Sequence, residues 1–476
     1  MSEELTGKSA TQLAELIRSR AVSPVEIVEA HLRRIEEINP SLNAIVTLAG
    51  DAVDRAHTAE AALTRGQAIG PLHGVPLTVK DTIDTAGLRT TSGSSLRAEH
   101  APVRDASVVA RLKAAGAIIL GKTNTPEMAI PYETDNPIFG RTNNPHDLNR
   151  TPGGSSGGEA AAIAACLSPA GIGSDLSGSI RVPAHFCGIV GLKPTTGRVP
   201  MDGHLPSATG PLSLGACIGP MARTVEDITL LLNVIADATQ FEISNSRSTA
   251  DERVSGLRGM RVAWYGDDGV APVSDETRDA LDAAAKSLSQ AGLEIHEANP
   301  PGISHGSRLW VELFSRASTD QLREFYRVRE DKAGLLVASL LRTAEKRGTD
   351  IEARAKQAEG LAAALVERER LREHLLRWMK TTPLILAPVG ATPAFDHGAR
   401  RVEVGDQSVS VFRAFSYSQT FNVFGLPSVA VPAGSSAAGL PIGVQIVGRP
   451  FEERTVIAAA AVIEQALGGW QRPPRI

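Results

Sequence analysis

The chain has 476 residues, with 49 Lys and Arg against 53 Asp and Glu, a formal net charge of −4 and 42 % hydrophobic positions. That is the profile of a globular chain long enough to bury a large core. Near charge balance, with an isoelectric point near 6.3, leaves no cluster of excess Lys and Arg to follow a phosphate backbone, so composition predicts no nucleic-acid partner.

The acidic start Met1-Ser2-Glu3-Glu4 lacks the basic and apolar regions of an export signal. Leu13, Leu16 and Ile17 share a helical face, and Ser23-Pro24-Val25-Glu26 reads as a capping box with proline at the first helical position. Ile27, Val28, Leu32 and Ile35 continue that helix, and another follows over about 51–65. From about 70 to 220 the chain turns rich in Gly, Ser, Thr and Pro, with short apolar runs at 75–79, 117–120 and 188–191 that suit buried strands and helical patterns at 106–115 and 159–167. Alternation of this kind predicts an α/β sheet.

Beyond 256 the elements lengthen. A strand is predicted at 260–264, a charged helix at 274–291 and helices from about 307 to 379, then strands at 384–386, 428–431 and 443–447 and a last helix at 453–467. Without a repeat or a long linker, the expected organisation is one domain over 1–476, with a core at 70–220 and a helical insertion at 305–380 over the substrate pocket. The uncharged stretch 205–222 is broken by Pro206, Pro211 and Pro220, so no membrane span is expected. Cys166, Cys187 and Cys217 are too few for a disulfide framework and point to a reducing cytoplasm. No paired histidine motif occurs, so no metal and no cofactor are expected.

Two motif matches fail on context. Gly116-Ala117-Ile118-Ile119-Leu120-Gly121-Lys122-Thr123 fits the phosphate-loop pattern, but its centre reads as a buried strand rather than a loop opening a helix. Gly154-Ser155-Ser156-Gly157-Gly158 fits a nucleophile elbow, with Asp396-His397 downstream as triad partners, yet polar, proline-broken chain precedes it where an elbow needs an apolar strand.

Taken together, Gly74-Val75-Pro76-Leu77-Thr78-Val79-Lys80-Asp81, the run Gly153-Gly154-Ser155-Ser156-Gly157-Gly158 and Gly178-Ser179-Ile180-Arg181 resemble the amidase signature family in content and spacing. The likeness extends through Lys122-Thr123-Asn124, Phe186-Cys187-Gly188 and Gly191-Leu192-Lys193-Pro194. It implies an α/β fold with a large mixed β-sheet core covered by helices on both faces. It also implies amide hydrolysis through an acyl-enzyme, with Ser179 as nucleophile, Ser155 as relay in a cis peptide after Gly154, and Lys80 as base. Lysine ordinarily titrates near ~10.4 and serves as a base only where burial or positive potential keeps it neutral. The resemblance further places the backbone N–H groups of Leu176, Ser177, Gly178 and Ser179 around the oxyanion, with Ser156, Asp175 and Arg181 as supporting residues. Ser177 stands where the family usually has glycine, and Ser174 where threonine is common.

For the substrate pocket the candidates are Ala129, Ile130, Tyr132 and Trp310. Their apolar character predicts an aryl or alkyl amide, cleaved to an acid and ammonia or an amine. The expected partner is this small-molecule amide, with no nucleic acid, no membrane and at most a homodimer. The alternative is the glutamine-hydrolysing subunit of a tRNA-dependent amidotransferase.

Overall fold

The computed structural model describes residues 2–67, 69–130, 132–236, 256–345 and 351–474. Part of the expected 305–380 insertion, residues 346–350, lies outside them. Among the described residues the strands are β1 (Ile45–Leu48), β2 (Pro76–Lys80), β3 (Ile118–Thr123), β4 (Ala170–Asp175), β5 (Val190–Lys193), β6 (Cys217–Ala222), β7 (Arg261–Trp264), β8 (Glu294–Glu297), β9 (Leu384–Pro388), β10 (Arg401–Val404), β11 (Gln407–Ser410), β12 (Ser428–Ser435) and β13 (Pro441–Val447). Eleven of them form one mixed sheet in the order β1-β3-β2-β4-β6-β5-β12-β13-β9-β7-β8, and β10 and β11 make a separate hairpin.

Side chains alternate across a strand, so a sheet covered on both faces is apolar at every position. On β9, Leu384 and Leu386 enter one core cluster and Ile385 and Ala387 another. Ile119 of β3 and its neighbours Ile118 and Leu120 divide in the same way. One face is closed by helices that include Ala10–Arg18, Val225–Ile235, Asp275–Gln290 and Glu453–Leu467. The other is closed by Pro24–Leu42, Gly157–Ala164, Arg181–Cys187 and Ser416–Val423. The capping box at the head of Pro24–Leu42 is formed in full: the Glu26 N–H donates to Ser23 Oγ at 3.1 Å and the Ser23 N–H to Glu26 Oε2 at 2.9 Å.

Six strands escape the sequence reading: β1, β4, β6, β8 and the hairpin pair β10 and β11. Strand β4, Ala-Gly-Ile-Gly-Ser-Asp, has low intrinsic strand preference and forms because both neighbours claim it. A Cβ at Gly171 would stand 2.0 Å from Glu159 Oε1 and 2.6 Å from the Thr78 carbonyl oxygen. The fully buried helix Gly157–Ala164 therefore requires small residues on β4. Strands β2 and β4 are parallel, with Thr78 opposite Gly171 and Val79 opposite Ile172. This register brings the ends of both strands, carrying Lys80 and Ser174, to the same edge of the sheet.

Helices Gly306–Trp310, Arg316–Tyr326, Leu335–Glu345 and Ile351–Trp378 occupy the region expected to be helical. Among the described residues no helix is long and apolar enough to cross a membrane. The phosphate-loop match fails as expected, because Lys122 lies within β3 and its buried ammonium donates to the Ile83 carbonyl and to Thr85 and Thr90 hydroxyls.

Candidate active site

At the shared edge of β2 and β4, Lys80 is wholly buried, and its Nζ lies 2.6 Å from Ser155 Oγ and 3.0 Å from Ser174 Oγ. Burial pulls the amine down to about 7, against the upward pull of Asp175 and Glu159. Ser155 follows a cis peptide with Gly154, and its carbonyl accepts from Thr125 Oγ1 at 2.9 Å. The Ser156 N–H donates to the Ser179 carbonyl at 3.1 Å, and Ser156 Oγ lies 3.3 Å from both the Ser174 carbonyl and the Ser174 N–H. Ser155, Ser174 and Ser179 line one cavity of about 510 Å³.

Asp175 and Arg181 brace the turn that carries Ser179. The guanidinium reaches both Asp175 oxygens, at 3.0 and 3.1 Å, and continues to Gln445 Oε1 at 2.8 Å, the Ser418 carbonyl at 2.9 Å and Asn422 Oδ1 at 2.6 Å. Burial alone would push the Asp175 carboxyl up, but Arg181, Lys193 and the Ile180 N–H together outweigh it and hold the group well below the usual carboxylate range. The carboxylate also accepts from the N–H groups of Gly178 at 2.8 Å and Ile180 at 3.0 Å. The Gly178 N–H, one of the four donors expected around an oxyanion, is thus engaged by Asp175.

All four predicted pocket residues line the cavity, together with Leu176, Ser177, Leu322, Leu336, Leu340, Phe395 and Phe412. Tyr132 and Trp310 also do something the sequence did not suggest. Trp310 Nε1 donates to the Leu176 carbonyl at 2.7 Å, and Tyr132 Oη donates to the Ser177 carbonyl at 2.8 Å while accepting from Gln419 at 2.9 Å. Fixing those carbonyls fixes the planes of the peptides that carry the Ser177 and Gly178 N–H groups. His397, the triad partner offered by the elbow reading, pairs instead with Glu133 at 3.0 Å.

Sequence reasoning missed His204, whose Nε2 lies 2.9 Å from Ser174 Oγ, and Glu159, which accepts from Thr78 and Thr123 beneath Lys80. Both stand outside the sequence blocks that carry the family resemblance. Among the described residues no cluster of His, Cys, Asp and Glu could hold a metal ion.

Residues 26–457 match the family described as Amidase. The chain is 36 % identical to the A-subunit of the glutamyl-tRNA(Gln) amidotransferase from Carboxydothermus hydrogenoformans, over 97 % of this chain and 98 % of that protein. It is 35 % identical to the protein of the same name from Koribacter versatilis, over 96 % and 98 %. Among solved structures, a bacterial aryl acylamidase of the amidase signature enzymes superposes with a TM-score of 0.83 at 27 % identity, covering 96 % of each chain.

These relatives overturn one expectation, that of an enzyme meeting only a small amide with no nucleic acid involved. Chains alike from end to end are named as one subunit of an enzyme of glutamyl-tRNA(Gln). Charge balance could not have signalled this, because it reports phosphate contacts made by a chain itself and is blind to contacts that other subunits of an assembly would make. The buried lysine beside Ser155, the braced serine turn and the family match over nearly the whole length lead to one assignment: the chain belongs to the amidase family, the amidase signature enzymes, and is an amide-hydrolysing enzyme.

Proposed function

We propose that Ser179 is the nucleophile, Ser155 the proton relay and Lys80 the base. We propose further that the substrate is the side-chain carboxamide of glutamine, hydrolysed as one subunit of a tRNA-dependent amidotransferase. The observation that carries the chemistry is the 2.6 Å contact between a buried Lys80 amine and Ser155 Oγ, beside Ser179 in the same cavity.

A serine hydroxyl is a weak nucleophile until a base takes its proton. As Ser179 Oγ bonds to the carbonyl carbon, its proton passes to Ser155 Oγ and the Ser155 proton to Lys80 Nζ. The Leu176, Ser177 and Ser179 N–H groups meet the developing oxyanion, whose stabilisation is usually the largest single contribution in acyl transfer. Collapse breaks the C–N bond, and the proton held by Lys80 returns through Ser155 to the departing nitrogen. Water then attacks the acyl–serine over the same relay and releases the acid.

The choice of glutamine rests on the end-to-end similarity to amidotransferase subunits. It is supported by Glu133 and Arg400, which line the cavity as opposite charges and suit the ammonium and carboxylate of an α-amino acid. A second reading, an aryl or alkyl amide, is favoured by a cavity of about 510 Å³ whose walls are mainly apolar, among them Met128, Leu322, Leu336, Leu340 and Phe412. Such walls suit a hydrophobic ligand.

The test is to measure ammonia release from glutamine by the purified chain, alone and with its partner subunits, beside release from p-nitroacetanilide and a fatty amide. Glutamine turnover that partners stimulate and Ser179→Ala abolishes is the expected result. Turnover of the anilide or fatty amide with none of glutamine selects the second reading. Unchanged turnover in Ser179→Ala overturns the assignment of the nucleophile.

A further inference from the structure

The cavity wall holds an imidazole that the chemistry above leaves without a task. His204 faces the cavity, with Nδ1 2.7 Å from the Pro206 carbonyl oxygen and Nε2 2.9 Å from Ser174 Oγ. A carbonyl oxygen can only accept, so the ring proton sits on Nδ1 and Nε2 is the acceptor. The Ser174 hydroxyl must then give its one proton to His204, leaving only its lone pairs to face Lys80 Nζ at 3.0 Å.

We propose that His204 is a positioning residue which, acting through Ser174, turns the lone pair of neutral Lys80 toward Ser155. The inference rests on the reading of Lys80 as the base.

A neutral amine has two protons and one lone pair. With Ser174 able only to accept, one amine proton is committed to Ser174, and the lone pair is left for the Ser155 proton 2.6 Å away. Were Ser174 free to rotate, its hydroxyl could donate to the same lone pair and compete with Ser155 for the base. The imidazole must remain neutral for this, and burial foremost, with Lys80 while it is still protonated and Lys122, brings it down to about 4 against the raising pull of the Pro206 carbonyl. A protonated ring would be a donor at both nitrogens, and Ser174 would lose its acceptor.

The test needs no knowledge of the natural substrate. A fluorophosphonate reports the nucleophile directly, because the serine oxygen displaces fluoride from phosphorus. The rate of Ser179 phosphonylation would be followed by intact mass from pH 5 to 9 on the full chain, with Ser179→Ala as the unlabelled control. His204→Leu is expected to slow labelling by about tenfold or more at pH 8 and to move the acidic limb to lower pH, since a freed Ser174 hydroxyl stabilises the neutral amine while occupying its lone pair. His204→Gln, whose amide oxygen can replace Nε2 as acceptor, should return the rate to within about threefold of the parent. Leu within about threefold of the parent, or Gln as slow as Leu, overturns the proposal.

If His204→Leu does not fold, Ser174→Ala and Ser174→Thr take its place. The alanine variant is expected to be slow and the threonine variant near the parent, and equal rates overturn the proposal. Labelling that is equally fast in the parent and in Lys80→Ala overturns the Lys80 reading itself. Slow labelling in Lys80→Ala with a normal rate in His204→Leu overturns the His204 proposal alone.

Discussion

At the scale of single residues, Lys80 illustrates how position changes chemistry. In water its amine would hold its proton until about pH 10.4; at the end of β2, with no exposed surface, it falls to about 7. The sign of the pH dependence follows. Protonated Lys80 cannot take the Ser155 proton, so kcat/KM should climb with pH, about tenfold per unit below 7, and level off above it. A pH–rate profile of the parent from 5 to 9 checks this, and a flat or falling profile would count against Lys80 as base. Replacing either partner, as Lys80→Ala or Ser155→Ala, should lower kcat by about a thousandfold or more with the circular dichroism spectrum unchanged. Gly178 is constrained by geometry: its φ is +105°, and a Cβ there would stand 2.7 Å from the Ser418 Cβ. The variant Gly178→Ala should therefore displace the Ser179 turn and lose activity, read as turnover against thermal midpoint.

At the scale of elements, the turn between β4 and helix Arg181–Cys187 is held by a buried ion pair with a ring of neutral acceptors. Removing the guanidinium, as in Arg181→Met, leaves the Asp175 carboxylate buried without its counter-charge, a change that costs about 3–5 kcal/mol. Chemical denaturation should show that loss at pH 7. Because the Asp175 carboxyl is held below its ordinary value, the unfolded chain takes up a proton there before the folded one does. The pair's contribution is thus present above the ordinary carboxylate pKa of ~3.9 and lost as pH falls toward the lowered value. The parent should lose more stability than Arg181→Met on acidification from pH 5 to 3, and equal losses would show that the pair is not the source.

At the scale of the whole molecule, the cavity is an assembly of distant segments: Ala129 and Tyr132 from the loop before the serine motif, Leu336 and Leu340 from helix Leu335–Glu345, and Phe412 from the chain after β11. Helix Leu335–Glu345 lines the cavity through Leu336 and Leu340, so narrowing it with Leu340→Trp should raise KM for a bulky amide several-fold while leaving kcat for a small one near the parent. Steady-state kinetics on the two substrates would show the split, and equal effects on both would mean the helix acts on the catalytic centre. Partners belong to this scale too: the relatives alike over the whole length are named as amidotransferase subunits, and the assembly proposed on that ground is one that the charge balance of a single chain would not register.

What the sequence determined by itself is whatever local patterns encode. The helices with clear apolar spacing and caps, such as Pro24–Leu42 and Glu453–Leu467, were legible, as were the apolar strands β2, β3 and β9. So was the family, because three short blocks, around Lys80, Ser155 and Ser179, kept their content and spacing. Strands β4 and β6 were not legible, because glycine and proline weaken any strand signal and their pairing is granted by neighbours far along the chain. His204 was invisible for the same reason: its partner Ser174 is reached only once a loop after β5 folds back over the end of β4. The lowered amine of Lys80, the tautomer of His204 and the clamps of Tyr132 and Trp310 on the Ser177 and Leu176 carbonyls were decided by tertiary structure alone. Desolvation and hydrogen-bond direction depend on what surrounds a group in space, and residue order does not specify that until the sheet has closed.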